Sequence, residues 1–336
     1  MSLEHYEQTW IRASPPNSRP CRPKPHLVLQ CNMDFSKPKL PLYPLPVARA
    51  LEAADKAYGG EDAATCHAAV IRLANTLAYY VGAIAVAQYT QALLTGQIEP
   101  DPTLNRSLRS LRRVLLGQWL GWAARGLAAT PDGPVEGLAR WYVEKQAGDI
   151  ASAYGGLLVL MREHLAYKGD YGSQKAVSPG TLLELVDQYR IRRGKTTAGS
   201  LPPDFDGRVT ETLLPGLRAA IEGAAFLKEY ALYAPQQRQM LMGPKPTTPM
   251  PPIQAPAEAA EAATLLLYSP GEEPDYTKRP DQQKQREPLF PLDPLLVYTP
   301  CPQCDRHRVA ALQEVIAGTP HYLGLDPDCE HKIVPS

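Results

Sequence analysis

The distribution of proline divides this chain into segments that can and cannot hold long helices. Proline makes up 35 of the 336 residues, and it is concentrated at the N-terminus and after residue 234. A proline inside a helix removes a backbone hydrogen-bond donor and clashes with the preceding turn, and it disfavours helix at the residue before it. Long helices are therefore expected between residues 42 and 234.

Apolar spacing supports the helical expectation for residues 42–234. Apolar side chains recur there every three or four positions, which is typical of amphipathic helices. Strand signals are almost absent from this part of the chain. The sequence predicts a mainly α fold built on a helical bundle. The predicted helices are 44–57, 63–95, 104–126, 133–148, 151–167, 180–193 and 208–233.

The segments on either side of the bundle are predicted to differ from it. Residues 1–41, which include SPPNSRPCRPKP, are predicted to be disordered. Residues 235–291 are predicted to be a proline-rich linker because they contain few large apolar side chains. Within that linker only TLLLYS, at 264–269, is apolar enough to pack as a strand or short helix. A small β module is predicted over 292–336.

Charge and apolar content limit the classes of partner. Lys and Arg together number 35, as do Asp and Glu, so the formal net charge is zero and no overall field attracts nucleic acid or a membrane. The most apolar run, 76–87, is shorter than the roughly 20 residues of a spanning helix, so a central bundle helix is predicted. Six cysteines without a signal-peptide pattern favour a cytoplasmic location.

Four residues near the C-terminus have the types and spacing of a metal site. Cys301 and Cys304 are separated by two residues in CPQC, so both thiolates can bind one ion, and Cys329 and His331 follow later in the chain. Three thiolates and one imidazole suit Zn²⁺, which accepts both kinds of ligand in a tetrahedral arrangement. Because the protein fills all four positions, a bound Zn²⁺ is expected to be structural rather than catalytic.

This region resembles a zinc ribbon over 295–334. A hairpin with strands around 309–315 and 322–325 is predicted between the two pairs of ligands, and CPQC matches the first knuckle of the family. The second knuckle departs from the family, since C-x-H replaces C-x2-C, and His307 and His321 are candidate substitute ligands. The alternative is a metal-free hairpin with free cysteines.

The helical region resembles the HEPN-like domains of bacterial defence and signalling proteins. The resemblance rests on LPLYPLPVARALEAADKA, LLGQWLGWAAR and LMREHLAYKGDYG, and it covers 42–234. It implies a helical fold, and active members are ribonucleases whose R-x4-6-H motif serves acid–base catalysis and phosphate stabilisation. Arg162 and His164 are only two residues apart here, so the motif is not satisfied, and a solvated helix end is the alternative explanation.

A series of arginines is a candidate surface for binding nucleic acid. Several of them fall within about one turn of the predicted helix 104–126, where they suit phosphate groups. The alternative is a solvated face opposite the apolar stripe of that helix. The residues named for a nucleic-acid or partner contact are Arg106, Arg109, Arg112 and Arg113.

Two tryptophans on the same predicted helix are candidates for a partner contact. Trp119 and Trp122 are three residues apart, so they project toward one side of the helix. Large aromatic residues at helical spacing fill a core, or one of them stays exposed as an anchor for a partner. The sequence leaves both alternatives open.

The sequence thus predicts a non-enzymatic protein-interaction or adaptor protein with a structural Zn²⁺. Its expected partner is another protein, with nucleic acid second and no membrane. The HEPN-like resemblance implies a setting in bacterial defence or signalling. One alternative is an RNA-cleaving HEPN-like enzyme whose motif has departed from the family. Another is a nucleic-acid-binding accessory factor that uses the zinc-ribbon-like module and the arginines.

Overall fold

The computed structural model of this protein describes residues 43–60, 62–169, 174–247, 264–270, 287–329 and 331–334. The segment 1–41, predicted to be disordered, lies outside these residues. Helices occupy the N-terminal part of the described chain, as the sequence predicts. They are α1 Leu45–Tyr58, α2 Ala63–Leu94, α3 Pro102–Leu108, α4 Leu116–Ala129, α5 Leu138–Val143, α6 Asp149–His164, α7 Pro179–Lys195, α8 Phe205–Glu222 and α9 Phe226–Glu229.

Helix α2 lies at the centre of the bundle and contains the most apolar run of the sequence. It begins where the Asp62 carboxylate accepts hydrogen bonds from the first free backbone amides, an arrangement that stabilises a helix N-terminus. It packs against α1, α4 and α8. By length and composition α2 is the one described helix that could cross a membrane, but 83% of its most apolar window is buried. That burial is typical of a core helix.

The prediction of one continuous helix over 104–126 is wrong, because the structure has two helices there, α3 and α4. The intervening loop pairs its backbone with a distant strand: Val114 N donates to Gln313 O at 2.6 Å, and Val315 N donates to Leu111 O at 2.8 Å. These tertiary hydrogen bonds replace the ones that a continuous helix would have made. Local helical propensity is weak enough to be overridden in this way.

The predicted helix 208–233 also ends early. Helix α8 stops at Glu222 with Pro215 inside it, α9 is a single turn, and Ala231–Ala234 form strand β1. All four residues of β1 are buried. The strand lies between β2 and β3 and pairs with both of them. The helical region therefore ends at residue 229, a few residues before the predicted boundary at 234.

A first antiparallel sheet uses segments that the sequence assigns to a linker. Its strand order is β2-β1-β3-β4. Of the two alternatives left open for TLLLYS, the structure shows a strand, β3, whose three residues are all buried. The described parts of 235–291 thus contain three paired strands, which corrects the linker prediction for those parts; 248–263 and 271–286 lie outside the described residues. The strands are β1 Ala231–Ala234, β2 Gln239–Met240, β3 Leu266–Tyr268 and β4 Pro288–Pro291.

A second antiparallel sheet, with strand order β5-β6-β7-β8, forms the C-terminal part of the chain. The predicted hairpin is confirmed as β6 and β7, which turn at Ala317 and Gly318. Within the described residues the fold is therefore mixed: helices come first and two four-stranded sheets follow. The strands of the second sheet are β5 Leu296–Cys301, β6 Arg306–Ile316, β7 Thr319–Gly324 and β8 Lys332–Ile333.

The helices and the second sheet share one hydrophobic core. Leu77 of α2, Leu267 of β3 and Val309 of β6 belong to the same cluster of buried side chains. Leu241 and Leu265, from the predicted linker, belong to it as well. The second sheet is consequently packed onto the bundle rather than carried as a separate module on a flexible tether.

Candidate metal centre

The structure brings the four predicted metal ligands together at one end of the second sheet. Cys301 is the last residue of β5, Cys304 lies in the turn that leads to β6, and Cys329 and His331 precede β8. One ligand atom from each residue lies within 4.8 Å of all the others. We refer to these four residues as the Cys3His cluster. The cysteines are free thiols rather than a disulfide.

Three of the distances within the Cys3His cluster are close to those of a tetrahedral zinc site. The His331 Nδ1 atom lies 3.3 Å from Cys301 Sγ and 3.5 Å from Cys329 Sγ. The Cys304 and Cys329 sulfurs are 3.6 Å apart. Ordinary Zn–S and Zn–N bonds place two such sulfurs about 3.8 Å apart, and a sulfur and a nitrogen about 3.6 Å apart. The observed separations agree with these values to within a few tenths of an ångström.

Backbone geometry explains how the unusual C-x-H spacing works. The loop 325–329 turns back on itself, with Cys329 N donating to Asp326 O at 3.0 Å, and Gly324 N then donates to His331 O at 3.2 Å. A Cβ on Gly324 would lie 2.4 Å from the Cys329 carbonyl oxygen, so a glycine is needed for the loop to approach β7 this closely. The two ligands are therefore presented by a tight loop and a strand start.

The substitute ligands considered for this site lie outside it. His307 packs its ring against Tyr298, with the ring centroids 5.4 Å apart. His321 lies on β7, opposite Glu314 of β6. Neither histidine belongs to the group of ligand atoms that converge. The four residues predicted first are thus the ones that the fold assembles.

The surroundings of the cluster shift the pKa values of two of its thiols in opposite directions. Burial opposes ionisation of Cys304, but hydrogen bonds from Arg308, Cys301 and Cys329 outweigh it and lower the pKa of Cys304 to about 7. Burial, with the neighbouring thiols, raises the pKa of Cys329 to about 12. Thiolates crowded in this way repel one another unless a cation lies between them. A divalent metal ion would supply that charge, and its binding would release protons.

The loop that precedes Cys329 is held by arginines from three elements. Arg308 of β6 is only 3% exposed. It donates to Asp326 at 2.9 Å and to Asp328 at 3.1 Å. From the bundle, Arg49 of α1 donates to the other Asp326 oxygen at 2.6 Å, and Arg72 of α2 donates to the Pro327 carbonyl at 2.7 Å. The ligand loop is therefore part of the contact between the second sheet and the helices.

The chain was compared with protein-family models, curated proteins and solved structures. None of the three comparisons finds a match. The resemblances to HEPN-like domains and to zinc ribbons stay predictions from the residues quoted for them. The function is therefore inferred from the geometry of the site.

The two tryptophans considered as partner anchors lie in the core. Trp119 is fully buried, and Trp122 is 2% exposed and donates its indole N–H to Ser107 Oγ at 2.7 Å. The Trp119 ring packs edge-on against Tyr79 of α2, with centroids 5.3 Å apart. Burial leaves neither ring at the surface, so the structure favours the core-filling alternative over a surface anchor.

The arginine series does not occupy one helix face. Arg106 lies on α3, whereas Arg109, Arg112 and Arg113 lie at its end and in the loop before α4. Among the described residues, Arg106, Arg109 and Arg112 are exposed and have no ion-pair partner. We call residues 106–113 the arginine loop. Its C-terminal end lies against β6 through the Val315–Leu111 hydrogen bond.

The pair considered for ribonuclease chemistry lies at the end of α6. Arg162 donates to the Gly169 carbonyl at 3.2 Å. His164 lies 3.4 Å from Arg208 Nη1 and packs edge-on against Phe205. Each side chain thus has its own neighbours, and no contact between the two groups is seen.

Sequence reasoning missed the charged residues that support the metal loop. Arg308 occupies a buried position on β6, beside apolar neighbours such as Val309 and Ala310. A cationic residue at an inward position of a strand is rare unless it is paired, and this was the signal available. Arg49 carries no such signal, because its partner Asp326 is 277 positions away.

Proposed function

We propose that this protein is a non-enzymatic interaction protein in which a structural Zn²⁺ joins the turn between β5 and β6 to the loop before β8, the loop that contacts the helical bundle. The observation that carries the proposal is the convergence of four protein ligand atoms to within 4.8 Å of one another. A site whose four positions are filled by protein side chains leaves none for water or substrate, which is typical of structural zinc.

The donor set supports zinc in particular. Three thiolates with one imidazole favour Zn²⁺ over Mg²⁺ or Ca²⁺, which take oxygen ligands. When bound, the metal would supply the positive charge that the crowded thiols need. Asp326 and Asp328, held by Arg308, would keep Cys329 oriented toward the metal.

The interaction role is inferred from the absence of a role for zinc in catalysis and from the HEPN-like resemblance. We propose another protein as the partner, in the cytoplasm, in a bacterial defence or signalling setting. An RNA-cleaving HEPN-like enzyme is the competing proposal. Incubation with single-stranded RNA separates the two, because cleavage that is lost in Arg162→Ala or His164→Ala protein would overturn the non-enzymatic proposal.

Metal analysis of the native protein tests the zinc proposal. We expect about one zinc per chain in protein purified without added metal. The matched control is Cys66→Ser, which replaces a buried cysteine outside the cluster and should leave the zinc content unchanged. A zinc-free preparation in which the second sheet is folded would contradict the proposal.

A second candidate function is nucleic-acid binding through the arginine loop. It is favoured by the exposure of Arg106, Arg109 and Arg112 and by the absence of ion-pair partners for them within the described residues. Binding through phosphates weakens steeply as the salt concentration rises. Replacing these three arginines by alanine should abolish such binding, while Arg140→Ala, an exposed arginine paired with Glu144 on α5, serves as the control.

A further inference from the structure

We propose that Cys304 and Cys329 form a redox pair, which a peroxide oxidises to a disulfide with release of the bound Zn²⁺. The proposal rests on the zinc site described above and gives that site a form of regulation. It makes the Cys3His cluster a modification site as well as a metal site. Three features of the cluster carry it: the distance between the sulfurs, the elements that hold them and their unequal access to solvent.

The distance between the two sulfurs is short enough for a disulfide to form with a small movement. Cys304 Sγ and Cys329 Sγ are 3.6 Å apart. A disulfide bond is about 2 Å long, so the sulfurs must approach by roughly 1.5 Å. That distance is within what a side-chain rotation in a turn can supply.

Neither Cys304 nor Cys329 lies in a strand, so the sulfurs can approach each other without displacing one. Cys304 lies in the turn between β5 and β6, and Cys329 lies in the loop before β8. Cys301, by contrast, is the last residue of β5 and is paired in register with Arg306. Movement of Cys301 would disturb the sheet, which makes it the poorer disulfide partner.

Solvent access decides which thiol meets the oxidant first. Cys304 is partly exposed, whereas Cys301 and Cys329 are 0% and 1% exposed. Oxidation of cysteine follows access as well as thiolate character, and zinc-bound sulfur is already a thiolate. A small peroxide therefore reaches Cys304, and the buried Cys329 sulfur is in position to resolve the product.

The reaction proceeds in two balanced steps. In the first, the Cys304 thiolate attacks one peroxide oxygen, the O–O bond breaks, and a sulfenic acid forms while the departing hydroxide takes up a proton. In the second, the Cys329 thiolate attacks the Cys304 sulfur, an S–S bond forms and the S–O bond breaks, with a second hydroxide taking up a proton. Two thiolates lose two electrons in total, and hydrogen peroxide becomes two molecules of water.

Loss of two thiolates leaves Cys301 and His331 as ligands, which is too few to hold a structural zinc ion. The new disulfide joins the same turn and loop that the metal had joined. The hydrogen bonds of Asp326 with Arg49 and Arg308 involve neither of the two sulfurs and can persist. Oxidation thus exchanges a metal cross-link for a covalent one and leaves the sheet docked on the bundle.

The test uses the full chain with Cys21, Cys31 and Cys66 replaced by serine, so that only the cluster cysteines react. Zinc-loaded protein is titrated with hydrogen peroxide, and released zinc is followed with a chromogenic chelator. Trypsin then places Cys301 and Cys304 in peptide 287–306 and Cys329 in peptide 309–332. We expect about one zinc released per disulfide formed, and the two peptides joined to each other. Fragment ions that cleave beside Pro302 and Gln303 assign the bond to Cys304, and a thiol reductant with added zinc should restore the metal.

Other outcomes would overturn the proposal. Zinc that stays bound with all three thiols free after peroxide treatment contradicts the redox pair but leaves the structural zinc proposal standing. A bond within peptide 287–306, or one that persists in Cys304→Ser protein, shows that the pair is assigned wrongly; circular dichroism confirms that this variant is folded. Reduced protein that never contained zinc would contradict both proposals.

Discussion

The helical bundle and the second sheet are stabilised in different ways within one core. The bundle buries large apolar side chains, with Trp119, Tyr80 and Tyr89 all at 0% exposure. The second sheet also buries charged and metal-binding groups, including Arg308 at 3% and Asp326 at 2%. A small sheet has too little apolar area to be stable on its own, so cross-links and ion pairs supply the rest. Removal of one cross-link should therefore destabilise the second sheet far more than the bundle.

The largest effect should come from removing a zinc ligand. Cys301→Ala is expected to lose the metal and to destabilise β5–β8, so that their amides exchange faster, because the free energy of zinc binding adds to the free energy of folding. The core shared with the bundle should keep the metal-free sheet folded. Helix α2 should keep its protection because its contacts are apolar. Zinc analysis together with hydrogen exchange measures both regions, with Cys66→Ser as the control. Unchanged protection of the β6 and β7 amides in the zinc-free variant would contradict this difference between the sheet and the bundle.

The next largest effect is expected in the bundle rather than in the second sheet. Trp119→Ala should reduce the free energy of unfolding by about 3–5 kcal/mol, since it leaves a cavity between α2 and α4. The close approach of these helices is shown by Gly82, where a Cβ would lie 2.9 Å from the Trp119 ring. Zinc content should not change. The control Tyr58→Ala, at an exposed position, should cost within about 0.5 kcal/mol. Denaturant unfolding of zinc-loaded protein measures both variants, and equal losses would contradict the core position of Trp119.

A smaller effect should come from the contact between the two regions. Asp326→Asn removes the shared partner of Arg49 and Arg308, and it leaves Arg308 with Asp328 alone. Breaking a buried ion pair costs about 3 kcal/mol or more, and the partly exposed Arg49 and the remaining Asp328 reduce this to about 2 kcal/mol. We expect the sheet and the bundle to unfold in separate steps in this variant. Arg306→Ala, at a surface pair with Asp328, is the control and should leave a single transition.

The smallest effect concerns pH in metal-free, reduced protein. The pKa of Cys304 is lowered from 9.0 to about 7 in the folded protein. Between those values the unfolded chain binds more protons than the folded one, so stability should rise as pH increases from about 7 to 9 and be lost as pH falls through that range. Cys304→Ser should flatten this part of the pH profile. Thermal unfolding at a series of pH values measures it, and an unchanged slope would show that Arg308 does not stabilise the thiolate.

Local patterns accounted for the elements whose contacts lie nearby in the chain. The buried run 76–87 was predicted as a central helix, the segment around Gly318 as a hairpin, and TLLLYS as a packed strand or short helix. The break between α3 and α4 could not be predicted in the same way. It depends on backbone hydrogen bonds that join Leu111 and Val114 to β6, about 200 residues later in the chain: Val114 donates one, and Leu111 accepts the other. Strand β2 has only two residues and β4 contains two prolines, so their composition resembles that of a linker.

Cysteine and histidine spacing near residues 301–331 is enough to predict the chemistry of the candidate site, because it defines which donor atoms a short chain segment can offer to one ion. How that site is joined to the rest of the protein follows from folding and could not be predicted. The pairing of Arg49 with Asp326 and the burial of Arg308 arise from surfaces that meet after folding. Residues distant in the chain leave no periodic signal of such a meeting, since periodicity reports only which face of an element is buried.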